Sequence, residues 1–170
     1  MIVIDLNQSA YRVGVISDTH GRLRPEAART LQDVQLIIHA GDIDSPNVMS
    51  ALREIAPVIA VRGNMDQGGF GLSLPETESI RIGTLSVLVL HDILRYYGTR
   101  HEQDFNLVIT GHTHRPNITR SGPTTLLNPG SAGPKRSGLP ISMAIIEFEE
   151  EQFIIRHVDL ESLNCDNGIG

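Results

Sequence analysis

Five apolar runs in this chain each end in a histidine, an aspartate or an asparagine. Val13-Gly14-Val15-Ile16-Ser17 leads into Asp18-Thr19-His20, and Leu36-Ile37-Ile38-His39-Ala40 leads into Gly41-Asp42. Val58-Ile59-Ala60-Val61-Arg62 leads into Gly63-Asn64-Met65-Asp66. Leu85 to Leu90 leads into His91-Asp92, and Leu107 to Thr110 into Gly111-His112-Thr113-His114. Runs this short and this rich in β-branched residues read as buried strands. In open α/β sheets, sites form outside the carboxyl ends of the strands. Five such ends therefore gather His, Asp and Asn on one rim. Imidazole nitrogen and carboxylate oxygen together suit divalent transition metals, so the rim is predicted to hold metal.

Between the first three runs lie two helix signals. Pro25 to Asp33 opens on a proline and is rich in Ala and Leu, and Pro46 to Ile55 follows Ser45, an N-cap residue. Strand, helix, strand, helix, strand is the order of a parallel α/β sheet. Beyond it, Gln67 to Gly71 carries three glycines and reads as a mobile loop. Ser79–Ile82 and Leu85–Leu90, joined by Gly83-Thr84, read as a hairpin. Ile93 to Arg100 reads as a short helix. The later half is strand-rich, with runs at 117–120, 124–127, 141–148 and 153–160 around a loop at 130–138. The layout predicts one domain over residues 1–170: two β-sheets packed face to face with helices outside. Residues 1–10 would be an N-terminal extension and 161–170 a C-terminal tail.

A chain of 170 residues can build a full core. Its net charge of -6 disfavours stable binding to a nucleic acid backbone. With 4% aromatic residues and no Trp, it also lacks the means for a base-stacking platform. No stretch approaches the ~18 apolar residues of a membrane span. Met1 to Tyr11 carries Asp5 and has no basic region ahead of its apolar residues, unlike a signal peptide. The expectation is a cytoplasmic protein with no membrane association. The single Cys165 reads as a bystander thiol.

At the rim, Asp18 and His20 stand at i and i+2. In extended backbone they would point to one side, roughly 6–7 Å apart. His112 and His114 repeat that spacing. Asp42 follows Gly41, which permits a sharp turn and close approach, and a carboxylate can bridge two cations. Asn64 offers a neutral oxygen and His91 one more nitrogen. Two divalent ions would bring four positive charges. Asp18, Asp42 and a bridging hydroxide would remove three, leaving one to face a phosphodiester's single negative charge. Two ions ~3.5–4 Å apart lower the pKa of a shared water and clamp both oxygens of an in-line displacement. The chemistry predicted is hydrolysis of a phosphate ester.

Asp-x-His, Gly-Asp, Gly-Asn-x-Asp, a lone His and then Gly-His-x-His, in that order, resemble the calcineurin-like metallophosphoesterase superfamily. Gly63-Asn64-Met65-Asp66, Gly111-His112-Thr113-His114 and Asn128-Pro129-Gly130-Ser131 resemble its small bacterial and archaeal phosphodiesterase branch. The resemblance runs from about Val13 to Val158. It implies a four-layer α/β/β/α sandwich of two mixed β-sheets flanked by helices, and a dinuclear site. Asp18, His20 and His114 would hold one ion, Asn64, His91 and His112 the other, and Asp42 would bridge them. It implies manganese first among the ions, with iron, zinc or nickel as alternatives, and a homodimer or homotetramer.

Two positions depart from the family pattern. Met65 stands where many members carry a His thought to protonate the leaving group, although the small branch often has Cys there. Asp66 is then a candidate acid, set against a structural loop carboxylate. Asp92 stands where relatives usually have Gly, and would either orient His91 or crowd the substrate. His39 reads as a packed histidine rather than a ligand. His101 and His157 read as surface residues. Arg22 and Arg115 read as solvated charges or phosphate contacts, and Asn128 as support for the rim. The function expected is a metal-dependent phosphodiesterase acting on a small phosphoester. A phosphomonoesterase is the alternative, as is a metal-binding scaffold like the retromer subunit of this fold.

Overall fold

The computed structural model describes residues 1–4, 11–98, 105–149 and 151–164. The elements follow in chain order. They are strand β1 (Ile2–Ile4), β2 (Tyr11–Ile16), helix α1 (Pro25–Thr30), β3 (Leu36–His39), α2 (Pro46–Arg53), β4 (Val58–Ala60) and α3 (Gly68–Leu72). There follow β5 (Thr77–Ile82), β6 (Leu85–Leu90), α4 (Ile93–Gly98), β7 (Leu107–Ile109), β8 (Asn117–Ser121), β9 (Thr124–Asn128), β10 (Ser142–Glu149) and β11 (Gln152–Asp159). A short 3-10 turn closes the chain at Ser162–Asn164.

The strands form two mixed sheets, one of six in the order β1-β5-β6-β7-β9-β8 and one of five in the order β11-β10-β2-β3-β4. The five rim strands are divided between them. β2, β3 and β4 run parallel in the smaller sheet, and β6 and β7 run parallel in the larger. Inward-facing Val13, Val15, Ile38, Val87, Val89, Ile109, Ile146 and Phe148 meet in one buried layer between the sheets. Each such aliphatic side chain contributes roughly 1.5–3 kcal/mol by leaving water. The alternate residues Ile37, Met143 and Ile145 face Leu31, Val48, Met49 and Leu52 from the α1 and α2 region. Leu88, Leu90 and Val108 face Ile93 and Tyr96 of α4. This is the α/β/β/α order of layers.

Local chemistry explains the two early helices. Both start on proline, where the missing N–H has no partner to lose, and Ser45 accepts the N–H of Asn47 at 3.2 Å. α1 ends at Thr30, short of Asp33, and residues 31–33 form turns. Two expectations are corrected. The segment Gln67 to Gly71 is not a loop throughout, because Gly68–Leu72 form α3. Phe70 packs beside the α1–α2 core, and a Cβ on Gly71 would lie 2.1 Å from the Asp66 carbonyl oxygen. Packing thus outweighs glycine's poor helix propensity. Nor are residues 1–10 only an extension: β1 adds an edge strand parallel to β5, pairing Ile2 with Ile80 and Ile4 with Ile82. His101 and Cys165 lie outside the described residues. Among the described residues, no helix is long and apolar enough to cross a membrane.

Candidate metal centre

The loops that follow β2 and β3 extend the pairing of those strands. Asp18 N–H donates to Gly41 O at 2.9 Å, His20 N–H to Asp42 O at 3.1 Å and Gly21 N–H to Ile43 O at 2.8 Å. These loops are not extended, which corrects the i, i+2 geometry expected from the sequence. Asp18, His20, Asp42, Asp44, His112 and His114 all have left-handed backbone, with φ from 47° to 69°. Side chains with a Cβ disfavour that region, at a cost of order 1 kcal/mol or more each. Three loops with left-handed residues at alternate positions turn their side chains inward together. The two sheets are stitched at the same place, where His91 Nδ1 donates to Ala40 O at 2.7 Å, and within the larger sheet Gly111 N–H donates to His91 O at 2.9 Å.

All seven ligand candidates converge. In the first group, His114 Nε2 lies 3.1 Å from Asp18 Oδ1 and 3.5 Å from His20 Nε2. In the second, Asn64 Oδ1 lies 3.2 Å from His91 Nε2 and 2.9 Å from His112 Nδ1, and Asp42 Oδ2 lies 3.3 Å from His91 Nε2. Ligand atoms of Asp18 reach both groups, once with His20 and His114 and once with Asp42 and His91. Each carboxylate has one oxygen anchored: Asp42 Oδ1 accepts the Met65 N–H at 2.8 Å, and Asp18 Oδ2 accepts the His112 N–H at 3.2 Å.

The other oxygen of Asp18 tests whether this donor set fits cations. Asp18 is 0% exposed, and its Oδ1 has no hydrogen-bond partner among the described residues. A buried carboxylate oxygen left without a partner is costly, and a cation between Asp18, His20 and His114 satisfies it. In the second group the His91 imidazole stands directly against the Asp42 carboxylate. Burial alone would push the His91 imidazole down, but its bond to Asp42, the Asp42 charge and the Ala40 carbonyl outweigh burial and raise it. Burial likewise would push the Asp42 carboxyl up. The His91 bond, the Met65 N–H and the charges of His91 and His20 hold it below its ordinary range. A metal would be bound here by the neutral imidazole and the ionised carboxylate. Both groups therefore fit divalent ions.

The residues around the ligands explain their aim. His20 Nδ1 donates to Asp44 Oδ2 at 2.9 Å, which leaves Nε2 to face the first group. Carboxylate partners of ligating histidines typically matter 10–100-fold for metal affinity. Asp44→Ala is accordingly expected to weaken divalent-ion binding at least about tenfold by calorimetry, and Asp44→Asn less; superimposable titrations would contradict that role. Asp66 is the loop carboxylate, not the acid. Its Oδ1 accepts Ile43 and Asp44 N–H, each at 2.8 Å, and its Oδ2 accepts Gly63 N–H at 2.8 Å, clamping the Asp42 loop to the Asn64 loop. Asp92 does not orient His91, a task done by Ala40; its Oδ1 caps α4 through the Leu94 N–H at 3.0 Å. Asn128 is support, as expected, with Nδ2 donating to Gly111 O at 2.6 Å and Thr113 Oγ1 at 3.1 Å. His157 is half-buried rather than a surface residue, bonded at 2.8 Å to the Asn128 carbonyl. Arg22 and Arg115 are exposed.

His39 is packed, as expected. It accepts the Gly41 N–H on Nδ1 at 3.2 Å and donates from Nε2 to Thr19 Oγ1 at 2.9 Å. Burial lowers its pKa from 6.5 to about 4, against the opposing charges of Asp66, Asp18 and Asp42. As pH falls through 6.5 the unfolded chain takes up a proton that the folded chain refuses until about pH 4, so stability falls within that window. The loss between pH 7 and pH 5 is about 2 kcal/mol. Chemical denaturation in chelator should show it, and His39→Gln, less stable at pH 7, should lack that share of the slope. An unchanged slope in the variant would contradict the assignment.

The site opens on its Asn64 and His112 side, where both residues are exposed. A cleft of about 310 Å³ lies there, its walls including Arg62, Gln67, Leu72, Glu76, Asp92 and Arg95. Glu76 pairs with both arginines, with Arg95 Nη1 at 2.6 Å and with Arg62, and their charges hold its carboxyl below the ordinary range. Sequence reasoning missed Asp44, Glu76 and Arg95. Asp44 repeats at i+2 the spacing of Asp18 and His20 and was detectable; a salt bridge from one loop to α4 was not.

Residues 11–151 match the family described as the calcineurin-like phosphoesterase superfamily domain. The chain is 38% identical over 154 residues to a probable metallophosphoesterase of Methanothermobacter thermautotrophicus, covering 82% of this chain and 87% of that protein. It is 28% identical to a phosphodiesterase of Methanocaldococcus jannaschii, covering 88% of this chain and 99% of the relative. The structure of Vacuolar Protein Sorting 29 from Cryptosporidium parvum superimposes with a TM-score of 0.77 at 20% identity, over 89% of this chain and 92% of that one.

Proposed function

The chain belongs to the calcineurin-like phosphoesterase superfamily, and from that premise we propose that it is a divalent-metal-dependent phosphodiesterase with a dinuclear centre and manganese as its preferred ion. The observation that carries the reading is the fully buried Asp18 Oδ1, which makes no hydrogen bond among the described residues and faces the His114 imidazole at 3.1 Å. Asp18, His20 and His114 would hold one ion and Asn64, His91 and His112 the other, with Asp42 between them. Two such ions supply an activated water and electrostatic clamping of the phosphate oxygens.

The chain's own residues fix that chemistry in place. Asp44 and Ala40 hold the rings of His20 and His91. Asp66 holds the Asn64 loop against the Asp42 loop, so the second group is assembled before substrate arrives. The burial of Asp18, Asp42, His91 and His114 keeps bulk water from competing with them.

A metal screen on one metal-stripped preparation tests the reading. Bis-p-nitrophenyl phosphate should be hydrolysed best with manganese, and at least tenfold faster in kcat/KM than p-nitrophenyl phosphate. Faster turnover of the monoester would point to a phosphomonoesterase. Tight metal uptake without turnover of either would point to a scaffold.

A further inference from the structure

The site is open on the side of the cleft beside Asn64, and the described groups on that wall bear on what could leave there without help. Met65, next to the ligand Asn64, is 52% exposed and its thioether has no proton to give. Asp66 is occupied by three backbone N–H groups. Glu76 is held between Arg62 and Arg95, Asp92 caps α4, and His91 and His112 face Asn64. A departing alkoxide, a far stronger base than water at neutral pH can leave unprotonated, needs a proton as it leaves. A departing phosphate ester, with a second pKa of about 6, does not. The same wall carries two guanidiniums that share the Glu76 carboxylate, and guanidinium groups suit phosphate oxygens.

We propose that the substrates are disubstituted diphosphates, in which two organic groups flank a phosphoanhydride, and that Arg62 and Arg95 receive the leaving phosphate. This rests on the phosphodiesterase reading, since each phosphorus of such an anhydride is diester-like and carries one negative charge. One faces the ligand groups and the other faces the arginines. Water oxygen bonds to the first phosphorus as its bond to the bridging oxygen breaks. That oxygen keeps the electron pair and leaves on the second phosphate, and the protons of water pass to solvent. A cleft of about 310 Å³, with Leu72 on its wall, leaves room for an organic group on the leaving side.

The test compares ADP-ribose, the methyl ester of AMP and bis-p-nitrophenyl phosphate on the manganese-loaded protein. The wild type should cleave ADP-ribose at least 100-fold faster in kcat/KM than the methyl ester. Met65→His should raise the ester-to-anhydride ratio at least tenfold by supplying a proton donor. Arg95→Gln should lower the ratio of ADP-ribose to bis-p-nitrophenyl phosphate turnover at least tenfold. A methylene-bridged ADP-ribose analogue, which is not cleaved, should bind at least tenfold more weakly to Arg95→Gln by calorimetry. Unchanged ratios together with unchanged analogue affinity would overturn the proposal while bis-p-nitrophenyl phosphate is still hydrolysed. Loss of turnover on all three substrates in the wild type would instead overturn the phosphodiesterase reading beneath it.

Discussion

Asp42→Asn is expected to lower kcat/KM for bis-p-nitrophenyl phosphate in manganese about a thousandfold, close to 4 kcal/mol of transition-state stabilisation. Asp42 is 3% exposed, with Oδ1 on the Met65 N–H and Oδ2 beside His91 Nε2 at 3.3 Å. The amide nearly keeps the shape but removes a negative charge from a buried site that we propose holds two dications. Leaving buried charge uncompensated costs about 3–5 kcal/mol. His114→Ala removes a ring from the first group and should act as strongly. The variants need only remain folded by circular dichroism for the comparison to hold. A rate within tenfold of wild type for either variant would contradict the assignment of these ligands.

Gly63→Ala should be nearly as damaging, although it removes no ligand. A Cβ at Gly63 would lie 2.1 Å from Asp42 Oδ1 and 2.4 Å from the Asp42 backbone nitrogen. Neither loop can yield easily, because Asp66 ties Gly63 to Ile43 and Asp44. Relieving the clash must move Asp42 relative to Asn64, so manganese affinity should fall at least about 100-fold. Overpacking of this kind also costs about 1–3 kcal/mol of stability. Gly69→Ala is the control, since its Cβ would meet nothing within 4 Å; it should leave manganese affinity unchanged and, lying in α3, stabilise by no more than about 1 kcal/mol. Equal metal affinity in the two variants would show that Gly63 is not required for close approach.

These two sites show what a one-dimensional reading captures and what it loses. The convergence of the seven candidates was readable because β-branched runs bury themselves as strands, and a polar residue ending such a run sits at the rim. Ser45-Pro46 and Gly83-Thr84 likewise act through their own backbone, and the N-cap and hairpin form where expected. The left-handed loops at Asp18, Asp42 and His112 were not readable, because strain at non-glycine residues is imposed by the bonds between loops. Asp66 stood between a candidate acid and a structural loop carboxylate until its three backbone donors, from residues as distant as Ile43, were in view. α3 and β1 depend on tertiary partners, Phe70 against the helical core and Ile2 against Ile80, which outweigh local propensity. Arg95 reaches Glu76 from α4 across 19 residues.

The most direct test of the dinuclear centre is anomalous diffraction from crystals of the metal-stripped protein soaked in manganese. Two peaks are predicted, one bounded by Asp18, His20 and His114 and the other by Asn64, His91 and His112, with Asp42 in reach of both. A map with no peak among these side chains, or with manganese bound only elsewhere, would contradict the account.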